Sequence, residues 1–540
     1  MADPLLQVKS LSVAFGGRSV LCGFDLDLAP GEIHGLVGES GSGKSITALS
    51  VMRLLPRNAI MAGNIILSGQ KLERLGEEHL NAIRGDQMAM IFQEPMTALN
   101  PVQTIGDQIA EGIRLHRDVS PAEALDMAAR AMARVELPPS RYPLSRYPHE
   151  LSGGQRQRVM IAMATALKPK LLIADEPTTA LDVVLQAQVL KLLRTVVDDT
   201  GMALLLISHD LGVVAEMADS LTILQSGQIR EQGNAVSILR HRKHAYTRQL
   251  AEASTHVPQW KNRGQQASGN ALVSIKNLVK TYRSKRTLLP NSPEDFTAVD
   301  DVSFDIATGR SVGLVGQSGC GKSTLARLIL ALDTPTGGAV QIDGIDLGTA
   351  DQSQLRRARR RMQVVFQDPY GSFNPRMRVE KIIAEPLHLL NRKTTLDQQR
   401  EMIADALRCV SLSPDVMRRY PHEFSGGQRQ RIAIARAIIT KPKLIVCDEP
   451  VSALDVSIRA EILDLFAELN DEHGMACLFI THDLAVARAI TQETLVMHRG
   501  KIVERGPTAQ IMDSPQSEQA QKLVAAAPNL ERALKKRLGQ

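Results

Sequence analysis

An eight-residue pattern, Gly-x-x-x-x-Gly-Lys-Ser, occurs twice in this chain: as Gly38-Glu39-Ser40-Gly41-Ser42-Gly43-Lys44-Ser45 and as Gly316-Gln317-Ser318-Gly319-Cys320-Gly321-Lys322-Ser323. A loop of this kind cradles phosphates only when a strand leads into it and a helix leads out. Its glycines let backbone N–H groups wrap the anion, its lysine adds a charge, and its hydroxyl reaches Mg²⁺. Both copies have that setting. Gly35-Leu36-Val37 and Gly313-Leu314-Val315 are short β-like runs ahead of the loops, and Ile46-Thr47-Ala48-Leu49 and Thr324-Leu325-Ala326-Arg327 continue as helix-compatible residues. Each copy therefore requires an α/β domain around it.

The landmarks repeat at nearly fixed spacing. Lys322 lies 278 positions after Lys44, Gln367 lies 274 after Gln93, and Ser425, Glu449, Asp455 and His482 each lie 273 after Ser152, Glu176, Asp182 and His209. The chain is thus a duplicated domain, far larger than a solenoid unit. The expected bounds are 1–253 and 271–540, each domain ending in a C-terminal extension. Residues 254–270, polar and containing Pro258 and the only Trp, Trp260, read as a flexible linker. A Pro-containing stretch over 283–297 reads as a surface loop inserted between two early strands of the second half.

Within each half, short β-rich runs alternate with helical segments, the pattern of a mostly parallel sheet. Leu171-Leu172-Ile173-Ala174 and Leu444-Ile445-Val446-Cys447 are continuous apolar runs, as strands buried on both faces require, and each ends in Asp-Glu. Ala203–Ile207 and Ala476–Ile480 are similar and end at Ser208-His209 and Thr481-His482. Carboxylates and imidazoles are thereby delivered to strand ends, where α/β sheets place ligands.

Composition removes several classes. With 44% hydrophobic and 23% charged residues the chain is neither disordered nor fibrous. No apolar run approaches the roughly 18 residues that cross a bilayer, and Met1-Ala2-Asp3-Pro4 does not start a signal peptide, so a cytosolic chain is expected. The five cysteines, Cys22, Cys320, Cys409, Cys447 and Cys477, form no C-x-x-C pair and read as buried small residues. The net charge of +6 is modest. Its densest cluster, Arg356-Arg357-Ala358-Arg359-Arg360-Arg361, has the barely basic Asn81–Asp86 as its first-half counterpart and reads as a solvated helix face, with no nucleic acid expected.

More than 100 residues beyond each phosphate loop stands Ser152-Gly153-Gly154-Gln155 or Ser425-Gly426-Gly427-Gln428. A Ser-Gly-Gly turn opening a helix presents free N–H groups, a hydroxyl and the positive end of the helix dipole, which makes it a second anion grip. Since each domain already carries one phosphate loop, this grip suits a nucleotide held by the other domain.

Here the sequence resembles the ATP-binding cassette (ABC) ATPases, over nearly all of both halves. The resemblance implies two tandem P-loop ATPase domains, each with a mostly parallel core sheet, an antiparallel β subdomain and a helical subdomain. It implies two ATP molecules sandwiched head to tail, one by Lys44 with Ser425 and Gly427, the other by Lys322 with Ser152 and Gly154. Asp175 and Asp448 would hold Mg²⁺ through water, and Ser45 and Ser323 would ligate it directly, with Thr324 also in the second cradle. Glu176 and Glu449 are the implied general bases, Gln93 and Gln367 the sensors of Mg²⁺ and γ-phosphate, His209 and His482 the switch residues, and Asp182 and Asp455 the couplers of the two sites. Phe15 and Tyr282 stand where the family stacks an aromatic ring on adenine. Both sets are complete, so two hydrolytic sites are expected.

Tandem ABC proteins include transporter motors, ribosome-acting translation factors, and repair or chromosome ATPases. Long coiled coils and zinc modules, features of the last class, are absent from this sequence. The segments Gln93–Pro101 and Gln367–Pro375, and the Tyr-Pro-His-Glu before both Ser-Gly-Gly turns, are similar to oligopeptide, dipeptide and nickel importer ATPases. This implies a double-cassette subunit on the cytoplasmic face of the inner membrane, working with two permease subunits and an extracytoplasmic solute-binding protein. The expected cargo is peptides, with glutathione, nickel chelates and peptide antibiotics behind them. The alternative is a soluble tandem ATPase acting on ribosomes.

Overall fold

A computed structural model of the chain describes residues 3–93, 98–179, 181–260, 271–283, 295–390 and 394–539. They divide into two compact units, one of Met1–Leu181, Leu185–Ser254 and Pro528–Gln540, the other of Asp182–Val184 and Thr255–Ala527.

The strands described in the first unit are β1 (Leu6–Phe15), β2 (Arg18–Leu28), β3 (Ile33–Val37), β4 (Ala59–Leu67), β5 (Gln70–Lys71), β6 (Met88–Ile91), β7 (Leu171–Asp175), β8 (Ala203–Ser208), β9 (Ser220–Gln225) and β10 (Gln228–Asn234). They form an antiparallel sheet in the order β2-β1-β4-β5 and a six-stranded sheet in the order β10-β9-β3-β8-β7-β6. In the larger sheet β9, β3, β8, β7 and β6 run parallel, and only the edge hairpin to β10 is antiparallel. Every residue of β3, β7 and β8 is buried, which is why these strands read as unbroken apolar runs. A helical layer follows β6. Its helix Pro121–Arg134 starts with a capping box, Ser120 and Glu123, and Pro at the first position, and packs against helices Ile105–His116 and Gly153–Thr165.

The second unit repeats this plan with β11 (Ala271–Tyr282), β12 (Phe296–Ala307), β13 (Ser311–Val315), β14 (Gly337–Ile342), β15 (Ile345–Asp346), β16 (Met362–Val365), β17 (Leu444–Asp448), β18 (Ala476–Thr481), β19 (Glu493–His498) and β20 (Lys501–Pro507). Its sheets are ordered β12-β11-β14-β15 and β16-β17-β18-β13-β19-β20. The fold is the expected one: paired α/β units with parallel core sheets, antiparallel sheets and helical layers.

Three expectations differ from what is found, and others fall outside the described residues. The last segment, expected to close the second domain, belongs to the first unit. There Leu530 and Ala533 of helix Leu530–Arg537 enter the first core, and the Arg537 guanidinium donates to the Ala218 carbonyl and reaches Asp219 Oδ1 at 3.4 Å. The linker does not begin free. His256 Nε2 meets Asp464 Oδ1 at 2.7 Å and Trp260 Nε1 donates to the Ala489 carbonyl at 3.3 Å, so residues 255–260 are fastened to the second unit. Residues 261–270 and 284–294, most of the linker and of the insertion, lie outside the described residues, as do 94–97. Finally, Cys22 and Cys409 are exposed, whereas Cys320, Cys447 and Cys477 are buried as expected. Among the described residues no helix is long and apolar enough to cross a membrane.

Candidate active sites

Strand order builds each site. In the first unit β3, β8, β7 and β6 are consecutive neighbours, and their C-terminal ends stand level: Val37 faces Ser208, Ile207 faces Asp175, and Ala174 faces Ile91. The residues just past those ends are the phosphate loop, His209, Asp175-Glu176 and Gln93 in spatial order. The second unit sets Val315 beside Thr481, Ile480 beside Asp448, and Cys447 beside Val365, which aligns Lys322, His482, Asp448-Glu449 and Gln367 in the same way. Residues scattered over more than 160 positions meet along one sheet edge.

The loops have the backbone that the pattern requires. Gly41 and Gly43 have φ of 77° and 107°, and Gly319 and Gly321 have 77° and 113°, all in the region that L side chains avoid. Gly38 answers a different need, since a Cβ there would lie 2.1 Å from the Leu224 carbonyl oxygen. Lys44 and Lys322 are each only 6% exposed, yet their Nζ atoms are satisfied by the loops themselves. Lys44 donates to the Gly38 and Glu39 carbonyls at 2.7 and 3.0 Å, and Lys322 to those of Gly316 and Gln317 at the same distances. The charge is held at the cradle before any phosphate arrives.

Glu176 and Glu449 leave their strands with φ of 48° and 49°, a strained turn pinned by N–H bonds to the Ile207 and Ile480 carbonyls. Gln93 Nε2 donates to Glu176 Oε2 at 2.9 Å, and Gln367 Nε2 to Glu449 Oε2 at 2.9 Å. His209 Nδ1 stands 3.3 Å from Glu176 Oε1, and His482 Nδ1 stands 3.0 Å from Glu449 Oε1.

The two sites are not identical. Burial works to raise the Glu176 carboxyl, but bonding to and charge on His209, the Thr179 hydroxyl and the Lys44 charge overcome it and pull it down to about 2. Thr179 Oγ1 donates to Glu176 Oε2 at 2.9 Å, whereas the second site's Ser452 donates to the backbone carbonyl of Glu449 instead. Glu449 is still lowered: burial opposes, and His482 and Lys322 prevail. His482 is raised, with burial opposing and Glu449 and Asp483 winning.

The metal positions can be tested against the structure. Burial raises the carboxyl of Asp175, and its Oδ1 is buried with no hydrogen-bond partner among the described residues, while the Ser45 hydroxyl bonds to the same carboxyl group. A hydroxyl beside an orphaned carboxylate oxygen suits a hard cation such as Mg²⁺. Asp448, likewise raised by burial, ends β17 as Asp175 ends β7, and Ser323 follows Lys322 in helix Lys322–Ile329.

The Ser-Gly-Gly-Gln turns form a separate constellation. Ser152 and Ser425 are N-caps of helices Gly153–Thr165 and Gly426–Ile438. Each is locked by a capping box in which the hydroxyl accepts the Gln155 or Gln428 N–H at 3.4 Å. Ser152, Gly153, Ser425 and Gly426 are exposed, so the Gly153 and Gly426 N–H groups, which have no acceptor within a helix, lie at the surface. Gly154 and Gly427 are buried for packing: a Cβ would lie 3.0 Å from Leu185 and 2.5 Å from Ile458. Asp182 is buried, and Asp455 stands at the N-cap position of helix Val456–His473 without a side-chain capping bond. Phe15 is half-buried against the core. Tyr282 is 40% exposed, with Lys280 Nζ 5.1 Å from its ring centre.

One contact escaped the sequence reading. Tyr246, buried in helix Ala245–Ser254, accepts the backbone N–H of Glu39 in the phosphate loop through its hydroxyl at 3.2 Å. The only signal was the His244–Arg248 segment read as a C-terminal extension. The second extension has Gln519 at the equivalent spacing.

Residues 21–179 and 299–452 match the ABC transporter family, once in each unit. The chain belongs to that family. It is a tandem ABC ATPase, with two cassettes in one chain. It is 45% identical, over 100% of its length and 99% of the relative's, to the peptidoglycan transport ATP-binding protein YejF of Agrobacterium fabrum. It is 42% identical to the glutathione import ATP-binding protein GsiA of Escherichia coli, over 98% of this chain and 90% of that protein. A solved post-hydrolysis dimer of the ATP-binding cassette MJ0796 bound to ADP and Pi aligns at 31% identity and a TM-score of 0.40, covering 44% of this chain and 98% of that one.

Proposed function

We propose that this ABC ATPase powers an importer for peptides or related small solutes, peripheral to the cytoplasmic face of the inner membrane. Two permease subunits and an extracytoplasmic binding protein would complete it. The observation that carries this reading is the end-to-end similarity to two double-cassette proteins named for peptidoglycan transport and glutathione import. Those names favour peptide-like cargo, since glutathione is a tripeptide and peptidoglycan carries peptide stems. Both relatives are named for transport, so the ribosome alternative gains no support.

In this reading each ATP is shared. Lys44 holds phosphates that Ser425 and Gly427 grip from the other cassette, and Lys322 works with Ser152 and Gly154. The logic is chemical: each unit has one cradle and one outward-facing helix start, and each grip is incomplete alone. Ser45, Ser323, Asp175, Asp448, Gln93 and Gln367 would hold Mg²⁺, which when bound neutralises charge building on the β- and γ-phosphates. Glu176 and Glu449 orient the attacking water and accept its proton, while His209 and His482 contact the γ-phosphate from the neighbouring strand. Loss of that phosphate removes the contacts that keep the cassettes closed. Purification of the chain from host membranes tests the assignment: two polytopic permeases should accompany it, and ribosomes without permeases would refute it.

A further inference from the structure

The Arg356–Arg361 cluster is an exposed helix face, as expected, with Arg361 half-buried. Arg361, Lys443 and Met475 immediately precede or start the N-terminal ends of β16, β17 and β18, the sheet edge opposite the phosphate loop. With five-residue strands rising roughly 3.3 Å per residue, that edge is on the order of 15 Å from the ATP residues. It opens into a cavity of about 1230 Å³ whose lining combines basic and apolar side chains. The basic side chains are Arg357, Arg360, Arg361, Lys441 and Lys443; the apolar ones include Leu390, Met402, Ala406, Ile438 and Met475.

The charges are unbalanced. Asp343 already holds Arg361, and Lys443 at 3.0 Å, and Arg408 holds the lining Asp405 at 2.5 Å. Arg357, Arg360 and Lys441 have no carboxylate partner among the described residues, and the remaining lining carboxylate is Glu472. Thr440, also lining the cavity, is 5% exposed, and its Oγ1 has no hydrogen-bond partner among the described residues. A turn of Thr440 about its Cα–Cβ bond would bring that hydroxyl to the cavity, where a bound polar group recovers the free energy it costs unpaired. The first unit lacks this chemistry: helix Glu77–Ile83 has two glutamates in its first turn and no arginine, and Leu167 stands at the position of Thr440.

We propose that this cavity binds an organic phosphate with an apolar body, the phosphate held by the unpaired cations and the body by the apolar side chains of the lining. Arginine forks match phosphate oxygens, and a dianion suits three unpaired cations better than a carboxylate does. Such a ligand would make the second cassette responsive to an anionic amphiphile independently of ATP.

Cys409 lines the cavity and is exposed, so its alkylation reports occupancy. The test uses the full chain with Cys22→Ser, held in saturating Mg-ADP to fill both phosphate loops, and dodecyl phosphate below its micellar range as the probe. Saturating probe should slow Cys409 alkylation about tenfold, and the protecting concentration should rise about tenfold in Arg357→Glu/Arg360→Glu and about threefold in Thr440→Leu. The altered arginines are exposed and lie outside the ATP sites, so ATP turnover should match the parent and certify folding. Thr440→Leu, which copies the first unit, decides the matter should the charge reversal fail that control. Protection by dodecanol or by inorganic phosphate equal to that by dodecyl phosphate, no protection, or unchanged protection in the variants overturns the proposal.

Discussion

Replacing Glu176 or Glu449 singly with Gln asks whether both carboxylates work. The substitution keeps the shape of the side chain and an oxygen for the Gln93 or Gln367 amide, which donates at 2.9 Å in each site, so the fold and the ATP cradle should persist. What disappears is the charge and the ability to take a proton from water, worth about 10²- to 10⁴-fold in the altered site. Independent sites would leave half of the parental turnover. Because the proposed sites share both cassettes and reopening needs both γ-phosphate grips released, each single variant should instead fall below about a tenth of the parent. Steady-state phosphate release checks this, with ADP counted in a single turnover. Full turnover in either variant would refute the two-active-site account, and half turnover in both would refute the coupling.

Three further outcomes are expected. Ending the chain before Pro528 removes Leu530 and Ala533 from the first core, a loss of about 3 kcal/mol of apolar burial. The first unit's calorimetric transition should then drop by about 5–10 °C, while an unchanged transition would mean the segment contributes nothing. Gly38→Val puts carbon against the Leu224 carbonyl, 2.1 Å from where even a Cβ would sit, and should abolish ATP analogue binding at the first site while the second still binds. In acid, the depressed Glu176 carboxyl contributes stability that is complete above its ordinary value near 4.5 and is lost as pH falls toward about 2, a difference of about 3 kcal/mol. Urea unfolding of parent and Glu176→Gln should therefore converge by that amount between pH 5 and 2, whereas parallel curves would contradict the pairing with His209 and Thr179.

Much of the site was legible because its parts are strand ends. An apolar run followed by Asp-Glu or by Ser-His can serve only one edge of a parallel sheet, and β7, β8, β17 and β18 lie where those runs stand. The features that escaped depend on partners distant in sequence. Nothing in Leu530–Arg537 says which core its Leu530 and Ala533 will enter, and chain position suggested the nearer domain. The Tyr246 hydroxyl reaches Glu39 across more than 200 residues, and a single aromatic on a helix has no motif to declare it. Thr179 and Ser452 look equivalent in an alignment, yet one hydroxyl bonds a carboxylate and the other a carbonyl. The arginines of Gln352–Arg361 read as solvated and are exposed; that three of them share a cavity lining with Leu390, Met402 and Ile438 depends on segments distant in sequence.

The claim that each ATP site draws on both cassettes is tested most directly by disulfide formation within one chain. With exposed Cys22 and Cys409 changed to Ser, cysteines are placed at exposed positions as Ser40→Cys/Ser425→Cys or as Ser40→Cys/Ser152→Cys. The shared-site account predicts rapid ATP-dependent crosslinking of the first pair and none of the second, read as a mobility shift of the monomer on a non-reducing gel. Crosslinking of Ser40→Cys/Ser152→Cys with none of Ser40→Cys/Ser425→Cys would contradict it.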